Sequence, residues 1–306
     1  MTYNERPLDD DVIQTFQLDT SHLRGRFVRL GGVLDEILSR HAYPEPVADL
    51  LGQTITLAVA LAGMLKYDGI FTLQAKGDGP VGMIVADVTS AGDLRGYAHF
   101  DEDRVADLAP GANSIPALLG KGYLAFTVDQ GENTERYQGI VELTGATLTE
   151  SVNHYFRQSE QLETGMTVTV ARQGSEGEGW RGGALLLQRM PEEGGTLVRA
   201  SDDEDDWRRA MVLMSSATPA ELTDPRLPAN DLLFRLFHEE GVRVWPPVPV
   251  RAGCRCSRER VSTVLRSLPR SEIEELKVDG QVQVTCQFCS NTYGFDDGEL
   301  ARVYEG

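Results

Sequence analysis

Basic residues are in short supply in this chain. Against 47 Asp and Glu stand 29 Lys and Arg, a formal net charge of -18 at pH 7. A surface that acidic repels phosphate backbones, which makes nucleic acid a poor partner. The charge favours solubility and says little about fold. Long apolar runs are also missing. The most apolar stretch, Leu50–Leu65, falls short of the ~20 residues a membrane span needs and carries Gln53, Thr54 and Thr56. It predicts a buried helix and no membrane segment. The opening Met1-Thr2-Tyr3-Asn4-Glu5, followed by Asp9-Asp10-Asp11, has neither the basic start nor the apolar core of a secretory signal. Cysteine is confined to four positions. With no signal and so few, closely paired thiols, the expectation is a reducing cytoplasm and metal binding, not a disulfide framework.

Signals of catalysis are equally thin. Gly77-x-Gly79 and Gly182-Gly183 lack the strand-glycine-helix context and the Lys-Ser/Thr ending of a phosphate loop, and read as hairpin turns. His22, His41, His99, His154 and His238 are scattered singly and read as surface or packing residues. Ser159-Glu160 has no histidine near it in sequence and reads as a helix end.

What is present is a core of ordinary size. The chain has 306 residues, 41% hydrophobic, enough for two or three domains. Phe16, Leu18, Leu23, Phe27, Val28 and Leu30 are spaced like a strand entering a helix, and Gly31-Gly32 fits a turn or a helix start. A helix from about Val33 to Arg40 stops before Pro44 and Pro46. From Asp68 the period becomes two: Phe71, Leu73 and Ala75, then Val81, Met83 and Val85, then Leu94–Phe100, Tyr123–Val128 and Tyr137–Leu143 read as strands. Val105–Leu119 reads as loop with short helical turns. Thr147-Leu148-Thr149-Glu150 fits a capping box. Met166–Ala171 and Ala184–Leu187 add further strands. The fold class is therefore α+β, a largely antiparallel sheet packed by helices.

Composition shifts at Pro191. Glu192-Glu193-Gly194-Gly195 marks a break, and Ser201–Asp206 is a dense acidic run placed where a helix N-terminus favours it. Trp207, Ala210, Met211 and Met214 share a helical face, as do Leu232, Leu233, Leu236 and Phe237. Val244-Trp245-Pro246-Pro247-Val248-Pro249 reads as a stiff connector. The expected organisation is a core domain at 1–190, a helical linker at 191–243 and a small metal-binding domain at 244–306.

The four cysteines form two tight pairs, Cys254-Arg255-Cys256 and Cys286-Gln287-Phe288-Cys289. Four soft thiolates separated by a spacer long enough to fold back make a tetrahedral Zn2+ site with no open position for water, so the zinc is structural. Ser257 is placed to cap a helix with Val261, Val264, Leu265 and Leu268 on one face, ended by Pro269. Ser271-Glu272-Ile273-Glu274 fits a second capping box, and Gln281–Val284 alternate like a strand. With so few apolar residues, this tail should draw much of its folding energy from the metal. The single-residue gap between Cys254 and Cys256 brings two oxidisable sulfurs together. Two readings stay open on spacing alone: an inert zinc ribbon, and a metal site that doubles as a redox switch. A thiol–disulfide oxidoreductase is a third reading of Cys286-x-x-Cys289, but such motifs usually open a helix, whereas this one follows a strand.

The stretches Cys254-Arg255-Cys256-Ser257-Arg258-Glu259-Arg260-Val261 and Cys286-Gln287-Phe288-Cys289, with Tyr293-Gly294-Phe295 behind them, resemble the heat-shock protein 33 family. Tyr155–Gln161, Gly183–Gln188 and Leu236–Glu240 add to the likeness, which covers nearly the whole chain. The departures are the acidic lead and the Gly/Glu-rich loop at Ser175–Gly179. The resemblance implies a redox-regulated, ATP-independent holdase and no enzyme activity. It implies a substrate-binding domain, a regulatory linker and a zinc domain, inactive when reduced and metal-bound. It further implies disulfides Cys254–Cys256 and Cys286–Cys289 on oxidation, release of zinc, dimerisation on activation, and unfolding proteins as partners. Loss of the metal-held fold is then expected to remove the surface on which the linker helices lean.

Overall fold

The computed structural model describes residues 10–131, 134–160, 162–173, 179–189, 200–278 and 280–305. The acidic lead through Asp9, the break at 191–195, Gln161 and residues 174–178 of the Gly/Glu-rich loop lie outside the described residues. The chain divides into two compact units, Met1–Ala252 and Gly253–Gly306.

The first unit opens with β1 (Val12–Leu18) and β2 (Leu23–Leu30). Where the spacing predicts a strand entering a helix, the chain makes an antiparallel hairpin, Leu18 pairing with Leu23. Alternation carries through the turn, so Phe16, Leu18, Leu23 and Phe27 fall on one face. Then come α1 (Gly32–Leu38) and α2 (Glu45–Ala62). Pro44 and Pro46 do not merely end the first helix. They start the second, Pro46 standing in a first turn where its missing N–H costs nothing.

The period-two segments become β3 (Ile70–Gly77), β4 (Val81–Thr89) and β5 (Asp93–Phe100). Two short helices follow, α3 (Glu102–Ala106) and α4 (Ile115–Leu118). After β6 (Gly122–Asp129) and β7 (Tyr137–Glu142) comes α5 (Leu148–Tyr155), extended by a π-turn at Phe156–Glu160. Thr147 caps α5 by accepting from the Glu150 N–H, but the Glu150 carboxylate reaches past it to the Ala146 N–H. The strands β8 (Thr164–Arg172) and β9 (Trp180–Arg189) complete the sheets. Gly182-Gly183 is no turn. It lies inside β9, where a Cβ on Gly182 would strike Thr56 and one on Gly183 would strike the Leu222 backbone.

Next stand α6 (Ala200–Ser215), α7 (Pro219–Thr223), α8 (Ala229–Phe237) and a 3-10 turn at His238–Glu240. The expected stiff connector at 244–249 keeps Trp245–Pro247 outside any strand but is pinned at both ends by edge strands, β10 (Val242–Val244) and β11 (Val248–Pro249), and β12 (Arg251–Ala252) follows it. Edge positions tolerate proline because one side of the strand needs no donor. One sheet runs β10-β1-β2-β9-β8 with β11 also on β1, and the other runs β12-β5-β4-β3-β6-β7. Every pairing in these two sheets is antiparallel except β12 on β5.

The helix α2 lies between the sheets, against β4 and β5 on one side and β2, β8 and β9 on the other. That sandwiching is why it is apolar over most of its surface, with the polar stripe of Glu45, Asp49 and Gln53 left at least partly exposed. Its Thr54 and Thr56 satisfy their hydroxyls on the Leu50 and Gly52 carbonyls.

A second core covers the opposite face of the first sheet. Phe16, Leu18, Leu23, Phe27, Leu185 and Leu187 meet Ala210, Met214, Leu222, Leu232, Leu233, Leu236 and Phe237, and Phe237 stacks on Phe16 at 5.7 Å. Where the expectation gave the linker helices the metal-held tail to lean on, the apolar faces of α6 and α8 lean instead on β1, β2 and β9 of the first unit. Two charged residues fasten this layer. Arg29 is fully buried and donates to the carbonyls of Glu221, Leu222 and Leu227. Arg209 of α6 makes a two-pronged pair with the buried Glu240.

The second unit holds α9 (Arg258–Arg266), α10 (Arg270–Glu275), the hairpin of β13 (Val282–Thr285) and β14 (Thr292–Phe295), and α11 (Asp297–Glu305). Ser257 caps α9 as expected, accepting from the Arg260 N–H. The second expected capping box does not form. Pro269 leads straight into α10 at Arg270, and no side chain caps it.

Candidate metal centre

Cys254 and Cys256 lie on the irregular segment between β12 and α9; Cys286 and Cys289 lie in the turn between β13 and β14. That turn is closed by the Cys286 N–H on the Asn291 carbonyl at 2.9 Å and the Ser290 N–H on the Cys286 carbonyl at 2.8 Å. Ser290 takes a left-handed backbone, φ 59, to make the knuckle.

The four sulfurs converge. All lie within 4.8 Å of one another, and among the described residues no other group of His, Cys, Asp and Glu is so placed. Cys254 Sγ is 3.7 Å from Cys286 Sγ, and Cys256 Sγ is 3.3 Å from Cys289 Sγ. None of the four is in a disulfide, and all are half-buried. The single histidines stay out of this cluster; His41, for example, packs on Tyr43 at 5.0 Å.

The donor set fits a soft, tetrahedral metal ion. Four sulfurs at about 2.3 Å from a centre stand about 3.8 Å apart, close to the Cys254–Cys286 spacing. The charges make the same point. Burial pushes the Cys254 thiol up, but the Cys256 N–H and the thiols of Cys256, Cys289 and Cys286 outweigh it and bring it down to about 7. Burial raises Cys286; burial and the surrounding sulfurs push Cys289 up to about 12. Cys254 ionises readily while Cys286 and Cys289 resist following, so a full set of thiolates needs a cation among them.

Tyr293, which enters the sequence reading only in the stretch behind the second cysteine pair, also serves the cluster. Its hydroxyl donates to Cys256 Sγ over 3.2 Å, and that bond pushes its own pKa up to about 12. Nothing in its spacing marks this role.

Little else holds the second unit. Its buried core is Leu265, Ile273, Val282, Phe295 and Leu300, with Val261, Leu268, Val284 and Tyr304 around it. Arg258 sits over the Phe295 ring at 4.4 Å and donates to Gly294 and Glu299. The Tyr304 hydroxyl donates to the Leu265 carbonyl near the end of α9 and to the Leu268 carbonyl just beyond it.

A family model described as Hsp33 protein matches residues 11–296. The chain belongs to the Hsp33 family. It is 41% identical over 295 residues to the 33 kDa chaperonin of Caulobacter vibrioides, covering 94% of this chain and 95% of that protein. It is 37% identical over 303 residues to the 33 kDa chaperonin of Pseudomonas fluorescens, covering 97% and 95%. Among solved structures, the 33 kDa chaperonin of Thermotoga maritima superposes with a TM-score of 0.81 at 23% identity, over 96% of this chain and 98% of that one. At that identity the likeness speaks for the fold: two antiparallel sheets, helices, and a C-terminal cysteine cluster. No helix among the described residues of this Hsp33-family chain is long and apolar enough to cross a membrane.

Proposed function

We propose that this chain is a redox-regulated, ATP-independent holdase rather than an enzyme. Cys254, Cys256, Cys286 and Cys289 hold one Zn2+ in the resting, reduced form. The observation that carries the reading is the gathering of all four thiols within 4.8 Å on a unit whose buried core is five side chains. A unit that small depends on its staple.

Oxidation would proceed without any outside group beyond a peroxide. A cysteine thiolate attacks the O–O bond and becomes a sulfenic acid, releasing hydroxide. A second thiolate attacks that sulfur, forming a disulfide and releasing a second hydroxide. The pairs are Cys254–Cys256 and Cys286–Cys289, as in the family. Disulfide sulfurs are poor ligands, so the donor set for zinc is lost and the second unit loses the free energy that ordered it.

The working division is a substrate-binding core at 1–190, a regulatory linker at 191–243 and a switch at 244–306. The apolar surface to be released is the second core of the first unit. The faces of α6 and α8 and the sheet beneath them, Phe16 through Leu187, are mutually covered in this structure. If the layer lifts, both surfaces become sticky patches for unfolding proteins. The protein would act in the cytoplasm, dimerise when activated, and have no nucleic-acid or membrane partner.

The test is an aggregation assay on an unfolding client, run with reduced and with peroxide-treated protein, while released zinc is followed. A holdase of this kind suppresses aggregation only after treatment. Equal suppression by both forms rejects the redox reading; insulin-reduction turnover would favour an oxidoreductase instead.

A further inference from the structure

The face of the first sheet opposite the α6–α8 layer is the one α2 packs on through Val28 and Leu30; its solvent-exposed end, at Arg24, carries positive charge in a chain of net charge -18. Strand register places Arg243 of β10, Gln17 of β1, Arg24 of β2 and Gln188 of β9 side by side, with Thr15 and Arg26 in the neighbouring row. Arg243 is matched by Asp19 at 2.8 Å. Among the described residues no carboxylate pairs with Arg24 or Arg26.

Arg26 is held in place by neutral partners. Its Nε donates to the Gly63 carbonyl at 2.7 Å and its Nη1 to the Gly25 carbonyl at 2.8 Å. Burial first, and the adjacent Arg24 second, bring its pKa down to about 10. These side chains line a cavity of about 360 Å3 together with Thr15, Gln17, Trp245 and Val248. Trp245 is 41% exposed. Its backbone is nonetheless fixed: its N–H donates to the Thr15 carbonyl at 3.1 Å, and its carbonyl accepts from Gln14 Nε2. Pro246 and Pro247 stiffen the chain beyond it.

We propose that this cavity binds a phosphate monoester carrying a planar ring, of mononucleotide size, with the phosphate on Arg24 and Arg26 and the ring on Trp245. Guanidinium forks match phosphate oxygens, and two unbalanced cations suit a dianion better than a single carboxylate. An indole face held by its backbone is a stacking platform. The volume falls at the small end of ligand pockets, where a mononucleotide fits. The site shares no residue with the cysteine cluster, so it stands whatever the redox chemistry proves to be.

The experiment is titration calorimetry on the full-length, reduced, zinc-loaded chain with AMP, adenosine and inorganic phosphate as probes. The expected result is saturable one-to-one binding of AMP with a Kd below about 1 mM, and each half-probe weaker by about tenfold or more. The Arg24→Gln variant weakens AMP by about tenfold or more with its thermal midpoint unchanged, since Arg24 is exposed. Trp245→Leu brings AMP down to the level of phosphate alone. No saturable AMP heat, AMP binding untouched by Arg24→Gln, or phosphate binding as tightly as AMP would each overturn the proposal.

Discussion

Arg29 Nε donates to the Leu222 carbonyl over 3.1 Å, inside the second core of the first unit. The same guanidinium reaches the Leu227 carbonyl at 2.6 Å and the Glu221 carbonyl at 3.2 Å, so one strand residue collects the C-terminal end of α7 and the turn into α8. Replacing it with Met keeps the bulk and strips the donors from three carbonyls. The expected cost is about 2–4 kcal/mol in urea denaturation. Arg29→Met should also suppress client aggregation in the reduced state, because the layer covering the sheet is loosened without any oxidation.

A glycine provides an independent test of that layer. A Cβ on Gly183 would stand 2.7 Å from the Leu222 carbonyl oxygen, a backbone atom that cannot swing aside. Gly183→Ala should push α7 off β9 and destabilise the protein by about 1–3 kcal/mol. It should raise reduced-state client binding as Arg29→Met does. If both variants lose stability yet stay inactive until oxidised, the α6–α8 layer is not the gate.

The entry to α7 should make part of this stability acid-sensitive. Thr218 and Glu221 form a complete capping box, the Glu221 carboxylate accepting from the Thr218 N–H. That backbone bond comes first among the causes holding Glu221 below its ordinary 4.5. The folded pKa lies below the unfolded one, so the folded state binds fewer protons in that window. The contribution is full above the unfolded value and is lost as pH falls through the folded one. Denaturation curves taken downward from about pH 6 should show a shallower acid loss in Glu221→Gln than in the parent. Thr218→Ala should cost about 1 kcal/mol at neutral pH.

Zinc should depend on each thiol. Cys286→Ser or Cys289→Ser leaves three sulfurs, and zinc content after dialysis should fall well below one per chain. A variant that keeps zinc as the parent does contradicts the four-thiolate assignment. Tyr293→Phe, which removes only the donor to Cys256 Sγ, should retain zinc but weaken its hold by about three- to tenfold, read by competition with a chelator.

Much of this was legible in the residues themselves. The strands at 70–143 announce themselves by alternation, and Leu50–Leu65 by being apolar over most of its circumference, as a helix between two layers requires. The four cysteines are legible by type and spacing, though their approach to one another is a property of the fold. The hairpin β1–β2 was harder, because Arg29 interrupts an apolar run and hides its strand face. A lone cation inside Phe27-Val28-Arg29-Leu30 was the available signal that something must be hydrogen-bonded there. The proline-rich run at 244–249 reads only as a stiff connector because edge pairing to β1 leaves no trace in composition. The helix α7 is short, yet Thr218-Pro219-Ala220-Glu221 carried the full chemistry of a helix start.

The most direct measurement follows the second unit during mild peroxide treatment of the full chain. Zinc release, hydrogen exchange across 253–306 and suppression of client aggregation are recorded on one sample. The account predicts that amide protection in that segment collapses as zinc appears in solution, and that aggregation is suppressed over the same interval. Zinc set free while protection and anti-aggregation activity both remain as they were would contradict it.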